Sequence, residues 1–253
     1  MKIVCVIPIY ERSAIAVETL KLFKQQSFPL YEIIAVGSTP NDKITAEKAG
    51  VTFLEYANAP LSNKVQYGID SAREREPDAI LTTGSDSWPT NSFCEMMAGH
   101  LDQGVDLVGK TRSYSCKVNP KQPLEILEHT YKRRKDPIGG GRLLSKKALD
   151  LIDWQVYRPG LNKGLDGASY QTLTTNIKNL KVLIANNDTE AFSMDVKSTL
   201  WKTITPFMKI KRARHDLHIK NIKSPELWLE KYYPGSLDLF KEIVPGIRIR
   251  GMA

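Results

Sequence analysis

The sequence predicts an α/β fold with a mainly parallel, doubly wound sheet and helices on both faces. Two observations lead to this prediction. The segment IVCVIPI, residues 3–9, is a continuous apolar run rich in β-branched residues, which is typical of a strand buried on both faces of a sheet. Strand-like and helix-like segments then alternate four times within about the first hundred residues, an order that favours parallel strands joined by crossover helices.

The helices at residues 16–23 and 62–75 are predicted from apolar residues spaced three or four apart. The first helix carries Ala16, Leu20 and Phe23 on one face, and Pro29 follows it. Further strands are expected at residues 32–36, 51–56, 79–83, 105–108 and 181–186. The remaining helices are expected at residues 43–49, 90–101, 145–152 and 166–177. A polar stretch, residues 113–123, has no regular pattern and is expected to be irregular.

The chain divides most simply into one domain and a basic extension. Residues 1–200 form the predicted α/β domain, and residues 201–253 form a mostly helical extension packed on it. The net charge is +8, and the extension carries much of the basic excess. Basic segments attract phosphate on a nucleotide, a nucleic acid or an anionic membrane, although an ordinary solvated surface explains them as well.

The apolar runs and the cysteines of the sequence indicate the compartment in which the protein is expected. No apolar run reaches the roughly 20 residues of a transmembrane helix, and the first residues turn polar too soon for a signal peptide. The three cysteines are far apart and odd in number, which favours reduced thiols over a disulfide framework. We therefore expect a cytoplasmic protein without a transmembrane segment.

Small and polar residues follow the predicted strands, at the sheet edge where open α/β sheets bind ligands. PIYER follows the first strand, GSTPND the second, SNK the third and GSDSWP the fourth. Together these segments supply an aromatic ring, cations and, after the fourth strand, the carboxylate of Asp86, a set that suits nucleotide phosphates bridged by a divalent cation. The chain has neither GxxxxGK[ST] nor GxGxxG after its first strand, which argues against a phosphate-loop NTPase and a dinucleotide oxidoreductase.

Several segments also share the order and spacing of a known family. PIYER, GSTPND, SNKVQYGIDSAR, ILTTGSDSWP, IGGGRLLSKKAL and GLDGASYQTL resemble the nucleotide-diphospho-sugar glycosyltransferases of the GT-A fold, closest to family 2. The resemblance spans residues 2–173. It implies an enzyme that moves a sugar from a nucleotide-diphosphate donor to an acceptor hydroxyl, by a metal-assisted and inverting displacement.

The resemblance also implies which residues bind the donor nucleotide. They lie at the strand ends and are Pro8, Tyr10, Arg12, Gly37, Ser38, Asn63, Lys64, Ser85 and Asp86. The family usually has acids just before its Gly-Ser, where this chain has Ala35 and Val36, so the base stays open. A UDP-sugar is expected because uridine is the commonest donor base in such enzymes. Asn41 or Asp42 is an alternative reader of the base.

A lone carboxylate marks the expected metal site. The family's Asp-x-Asp motif corresponds to GSD here, with Gly84 at the first acid and Asp86 at the last. The resemblance implies that Asp86 binds Mn²⁺ or Mg²⁺, and one carboxylate suffices when substrate phosphates and waters supply the other ligands. Weaker metal binding, metal-independent catalysis and a degenerate site remain alternatives. Asp86 is also placed where it would cap the following turn or helix.

The resemblance also implies a catalytic base and an acceptor region. Asp166 corresponds to the family's acceptor-side carboxylate, which takes the proton of the attacking hydroxyl; a helix N-terminal acid or a structural acceptor is the alternative. Beyond the resemblance, Asp195 is expected to complete the metal shell. Either Lys197 or the basic group of Lys209, Lys211, Arg212, Arg214 and His215 is expected to neutralise the departing diphosphate. The residues expected near the acceptor or diphosphate are Gly140, Gly141, Asp195, Lys197, Arg212 and Arg214.

The acceptor remains open between two classes. It is either a saccharide or glycolipid, or a hydroxymethylated base in DNA, where basic side chains would hold the phosphates. Two other functions compete with the transferase. One is a non-catalytic nucleic-acid-binding protein that retains a nucleotide-binding fold. The other is a sugar nucleotidyltransferase, although the first turn lacks the glycine-rich loop of those enzymes.

Overall fold

The computed structural model describes residues 1–132, 134–201 and 217–249, which form two sheets and their covering helices. The strands are β1 (Ile3–Pro8), β2 (Glu32–Gly37), β3 (Thr52–Glu55), β4 (Ala79–Thr82), β5 (Ser87–Pro89), β6 (Leu107–Gly109), β7 (Arg112–Lys117), β8 (Glu125–Tyr131), β9 (Arg142–Ser145), β10 (Val182–Ile184), β11 (Ser193–Lys197) and β12 (Leu217–Asn221). The helices are α1 (Ser13–Lys24), α2 (Pro40–Ala49), α3 (Leu61–Arg73), α4 (Phe93–Leu101), α5 (Lys146–Leu151), α6 (Leu165–Asn176), α7 (Pro225–Tyr232) and α8 (Ser236–Ile243).

The larger sheet has seven strands in the order β10-β6-β9-β4-β1-β2-β3. Only β9 runs antiparallel to its neighbours β4 and β6; the other pairs are parallel. Alternate residues of β1 enter different cores, with Cys5 facing the side of α1, α2 and α4 and Val6 facing α3, α5 and α6. The predicted mainly parallel sheet with helices on both faces is confirmed.

The smaller sheet has the order β12-β8-β7-β11-β5. The prediction that residues 113–123 are irregular was wrong, since β7 covers the first part of that stretch. The alternation of β7 is short and surrounded by polar residues. Tyr114 and Cys116 are nevertheless buried in a third core cluster, which the smaller sheet forms with α7 and α8. Pairing with β8 and β11 therefore makes the strand, and the local sequence does not show those partners.

The described part of the C-terminal extension, residues 217–249, packs on the rest of the chain. β12 pairs with β8, so the extension adds a strand to its expected helices. Trp88 is buried and stacks on Phe240 of α8, with ring centroids 5.3 Å apart. The domain boundary between residues 200 and 201 stays a prediction. Lys209, Lys211, Arg212, Arg214 and His215 lie outside the described residues.

Membrane-spanning segments were sought among the described helices. Within residues 1–132, 134–201 and 217–249, no helix has both the length and the apolar character to cross a bilayer.

Candidate active site

The carboxyl ends of β1 and β4 open onto a first cavity of about 450 Å³. Its lining comes from the strand ends, the loop before α3 and the end of β11: Pro8, Ile9, Tyr10, Arg12, Asn58, Ala59, Leu61, Lys64, Gly84, Ser85, Asp86, Asn162 and Lys197. Six of the nine residues predicted to bind the nucleotide are therefore in one wall. This is the edge where parallel strands deliver their loops.

A strained turn brings Arg12 into this wall. Glu11 and Arg12 both have positive φ, 48° and 112°, which side-chain-bearing residues rarely adopt. The turn is held by the Glu11 N–H, which donates to Asp42 Oδ1 at 3.2 Å, and by Arg12 Nη1, which donates to Asp86 Oδ2 at 2.7 Å. Backbone strain of this kind persists where the surroundings enforce it, and here it directs a guanidinium at the cavity.

The strain at position 12 makes a testable prediction. Arg12→Gly and Arg12→Ala both remove the ion pair with Asp86, but only glycine relaxes a φ of 112°. Arg12→Gly should therefore be the more stable of the two by on the order of 1 kcal/mol, as measured by urea unfolding. Equal unfolding free energies for the two variants would show that the turn is not strained.

Asp86 is a buried carboxylate held between two cations. Its Oδ2 accepts hydrogen bonds from Arg12 Nη1 and Lys197 Nζ, each at 2.7 Å. Burial by itself raises the pKa of Asp86, but Lys197 and Arg12 outweigh burial and hold the pKa below its usual value. Burial likewise opposes the charge on Lys197, yet Asp195 and Asp86 raise its pKa to about 12. Asp86 and Lys197 are therefore both charged at neutral pH.

Lys64 is buried and connects three segments of the cavity wall by hydrogen bonds. Its Nζ donates to the Ile9 carbonyl at 2.7 Å, to Ser38 Oγ at 2.8 Å and to Asn58 Oδ1 at 3.2 Å. Three acceptors use all three ammonium protons. Burial lowers the pKa of Lys64 to about 8. Lys64 therefore joins three strand ends, and its protons are not free for a phosphate.

The other three predicted nucleotide residues, Gly37, Ser38 and Asn63, do not line this cavity. Gly37 is buried, and a Cβ there would lie 2.5 Å from the Phe53 ring. Ser38 reaches the cavity only through its bond to Lys64. Asn63 Oδ1 instead accepts from the Gly160 N–H at 2.9 Å, which ties α3 to a distant loop.

Asp42 is also occupied structurally. Its Oδ2 accepts from the Ser38 and Thr39 N–H groups at 2.9 and 3.0 Å, and Thr39 caps α2 in return. This capping box satisfies the start of the helix. Asp42 is therefore not available as the alternative reader of the base.

A second cavity of about 340 Å³ meets the first at Gly84 and Asp86. The other lining residues are Ser87, Ser113, Ser115, His129, Tyr131, Arg134, Ile138, Gly139, Gly140, Asp166 and Asp195. Three residues predicted near the acceptor, Asp166, Gly140 and Asp195, are brought together here. Gly141 is not in this wall, because it has a φ of 128° and packs against the Phe93 ring.

Asp166 lies at the start of α6, where burial and two arginines act on the pKa of its carboxyl in opposite directions. Burial raises its pKa, although Arg142 and Arg134 pull the pKa back down. Arg134 Nη2 lies 3.7 Å from Asp166 Oδ2, and Arg142 donates to the Asp166 carbonyl at 2.8 Å. A Cβ at Gly139 would lie 2.8 Å from Asp166 Oδ1, so glycine leaves room for this carboxylate. A raised pKa makes a carboxylate a better proton acceptor.

Comparison with known proteins identifies the family. Residues 4–153, more than half of the chain, match the family model described as glycosyl transferase family 2. The chain belongs to glycosyl transferase family 2. The predicted family and enzyme class are confirmed, and the competing functions, a bare nucleic-acid-binding protein or a nucleotidyltransferase, lose support.

Solved structures share the fold of this family 2 member. TarS 1–349 of S. aureus, in complex with UDP-GlcNAc, aligns with a TM-score of 0.57 and 18% identity over 78% of this chain and 59% of that one. The mannosyltransferase PcManGT from Pyrobaculum calidifontis, with GDP-Man and Mn²⁺, aligns at 0.50 and 12% identity over 78% and 56%. The chain thus spans about three fifths of the TarS chain. No curated protein sequence matches it.

Sequence reasoning did not assign site roles to three polar residues of the two walls, Arg134, Asn58 and Asn162, or to Arg142, which contacts Asp166. Arg134 was visible only as part of a basic run, and Arg142 as a residue after a glycine-rich turn. Asn58 and Asn162 come from separate loops, and Asn162 Oδ1 accepts from the Leu61 N–H at 3.0 Å. No local pattern marks such residues, because only the folded chain brings their loops together.

Proposed function

We propose that the chain transfers a sugar from a nucleoside-diphosphate sugar to an acceptor hydroxyl, with the nucleotide in the first cavity and the acceptor in the second. One observation carries this proposal. The two cavities meet at Gly84 and Asp86, with the cations Arg12 and Lys197 on one side and the Asp166 carboxylate on the other. A leaving diphosphate and an attacking hydroxyl need this separation of charge.

The first cavity suits a nucleoside diphosphate. The Tyr10 ring offers a surface for a base, and Arg12 and Lys197 supply positive charge for phosphates in the same cavity. Related folds are named in complex with UDP-GlcNAc and with GDP-Man and Mn²⁺. The UDP-sugar stays our prediction for the donor, and no reaction step here requires the Mn²⁺ or Mg²⁺ that the sequence led us to expect.

In the proposed reaction the acceptor oxygen attacks the anomeric carbon from the second cavity. The bond from that carbon to the β-phosphate oxygen breaks, and its electron pair stays on the leaving nucleoside diphosphate. Asp166 takes the proton of the acceptor hydroxyl as the new bond forms. Attack from the side opposite the diphosphate gives inversion at the anomeric carbon.

We propose a saccharide hydroxyl as the acceptor. The second cavity is lined by hydroxyl-bearing side chains, among them Ser113, Ser115 and Tyr131, together with carboxylates. Such groups pair with the hydroxyls of a sugar as donors and acceptors. A glycolipid acceptor shares that chemistry, and a hydroxymethylated DNA base stays a prediction from the basic extension.

A thermal-shift panel tests the donor site without knowledge of the acceptor. Nucleoside diphosphates and nucleotide sugars of each base are added with and without Mn²⁺. One nucleotide family should raise the melting temperature, because a ligand at 100 times its Kd stabilises the fold by about 2.7 kcal/mol. Tyr10→Ala should abolish the shift, whereas Tyr31→Ala, at a 59% exposed tyrosine away from the cavity, should keep it. No shift with any nucleotide would overturn the proposal.

A further inference from the structure

Lys197 occupies the place where the sequence led us to expect a divalent cation. Its Nζ lies 2.7 Å from Asp86 Oδ2 and 3.2 Å from Asp195 Oδ2, the two carboxylates assigned to a metal. The Lys197 side chain is only 9% exposed, and it lines the first cavity. An ammonium therefore lies between both carboxylates, at the junction of the two cavities.

Strand pairing sets the position of this ammonium. β11 runs antiparallel to β5 with Asp195 opposite Ser87, and the Val196 N–H donates to the Asp86 carbonyl at 2.8 Å. Ser87 Oγ in turn donates to Asp195 Oδ1 at 2.7 Å. Asp195 and Lys197 are two residues apart on a strand, so they project from the same face. Backbone register thus places the ammonium beside both carboxylates.

The residues at this place do not fit a divalent cation. Asp86 Oδ2 already accepts from Arg12 and Lys197, and Asp195 accepts from Ser87 and pairs with Lys197. Mn²⁺ or Mg²⁺ bound at this place would have to displace these hydrogen bonds, and it would face the positive charges of Arg12 and Lys197 at close range. Within the described ranges, no group of three or more His, Cys, Asp or Glu side chains is arranged to hold a metal.

We propose that the Lys197 ammonium takes the role of the metal ion, so that donor binding and sugar transfer are independent of divalent cations. This inference rests on the proposed function. Lys197 and Arg12 contact the diphosphate, and Lys197 stabilises the negative charge that appears on the β-phosphate when its bond to the anomeric carbon breaks. Asp86 and Asp195 orient the ammonium and keep it in place.

The first test measures nucleotide affinity by calorimetry in chelator-treated buffer. The probes are UDP and UMP, or the matching pair for the base that the panel selects. Lys197→Met should weaken UDP binding roughly 10- to 100-fold, with a smaller loss for UMP, because a charge-assisted bond to the β-phosphate is removed. Lys197→Arg should retain most of the affinity. Unchanged UDP binding in Lys197→Met would overturn the proposal.

A neighbouring lysine provides a matched control. Lys117 lies beside Lys197 in the register of β7 and β11, but its ammonium pairs with Glu125 at 3.3 Å. Lys117→Met makes the same change of charge and should alter UDP affinity by less than about threefold, since a screened charge outside the cavity contributes little. If Lys197→Met does not fold, the double variant Lys197→Met/Asp195→Asn removes the unpaired carboxylate as well.

The second test titrates Mn²⁺ alone, followed by electron paramagnetic resonance, and therefore needs no nucleotide. Wild-type protein should show no saturable site at Asp86, and Lys197→Met should gain one that Asp86→Asn abolishes. Wild-type donor turnover should also be unchanged by chelator. A wild-type Mn²⁺ site that Asp86→Asn removes, or turnover restored only by Mn²⁺, would overturn the inference. If no nucleotide binds, the proposed function is wrong. The Mn²⁺ titration then still tests the role of Lys197, because it needs no nucleotide.

Discussion

Asp166→Asn should lower the rate of sugar transfer by about 10²- to 10⁴-fold, the range that general bases contribute, without lowering the melting temperature at neutral pH. The amide keeps the size of the side chain but cannot take the proton of the acceptor. Stability should hold or rise because burial raises the pKa of Asp166. A carboxyl whose pKa is raised in the fold contributes stability below its unfolded pKa and loses it as pH rises through the folded value. At neutral pH the charged form is therefore a cost that asparagine removes.

Measuring both the transfer rate and the stability distinguishes a catalytic base from a purely structural role for Asp166. The rate is measured as release of the nucleoside diphosphate in the presence of acceptor, and stability by calorimetry at pH 7. The wild-type rate should also fall on acidification with a midpoint above the usual range for aspartate. Asp153→Asn, at a carboxylate with an 81% exposed side chain, is the control and should change neither quantity. Wild-type turnover in Asp166→Asn would remove the base assignment, and a clear loss of stability would favour the structural role.

Leu229→Ala should destabilise the protein by about 2–5 kcal/mol, as expected when a fully buried leucine leaves a cavity. Leu229 of α7 is completely buried in the third core cluster, with Trp88 and Phe240. Leu227 lies in the same helix and is 74% exposed, so Leu227→Ala should change stability by no more than about 0.5 kcal/mol. Denaturant unfolding measures both variants with the same chemical change.

Comparing Leu229→Ala with Leu227→Ala tests whether the C-terminal segment unfolds cooperatively with the rest of the protein. We expect one unfolding transition for the wild type and for both variants, with only Leu229→Ala shifted. Two separate transitions, with Leu229→Ala affecting only one, would show that residues 201–253 unfold independently. Equal effects of the two substitutions would contradict the packing of α7 on this core.

Much of the site could be predicted because strand ends share an edge of a parallel sheet. Pro8, Tyr10, Arg12 and Asp86 follow two strands that are clear in the sequence, and β1 and β4 are neighbours in the sheet. Lys64 also lines the first cavity, but its three acceptors lie in three different segments of the chain. The structural role of Lys64 could therefore not be predicted, because hydrogen bonds between distant segments leave no local pattern in the sequence.

The sequence by itself determined the family, the mainly parallel sheet and the edge that carries the site. Those features depend on the order of local patterns, buried β-branched runs and the residues that follow them. Only the tertiary structure decided that β11 lies against β5, which brings Lys197 to Asp86 from 111 residues further along the chain. The physical reason is that an ion pair depends on the distance between two charges after folding, and the register of distant strands sets that distance.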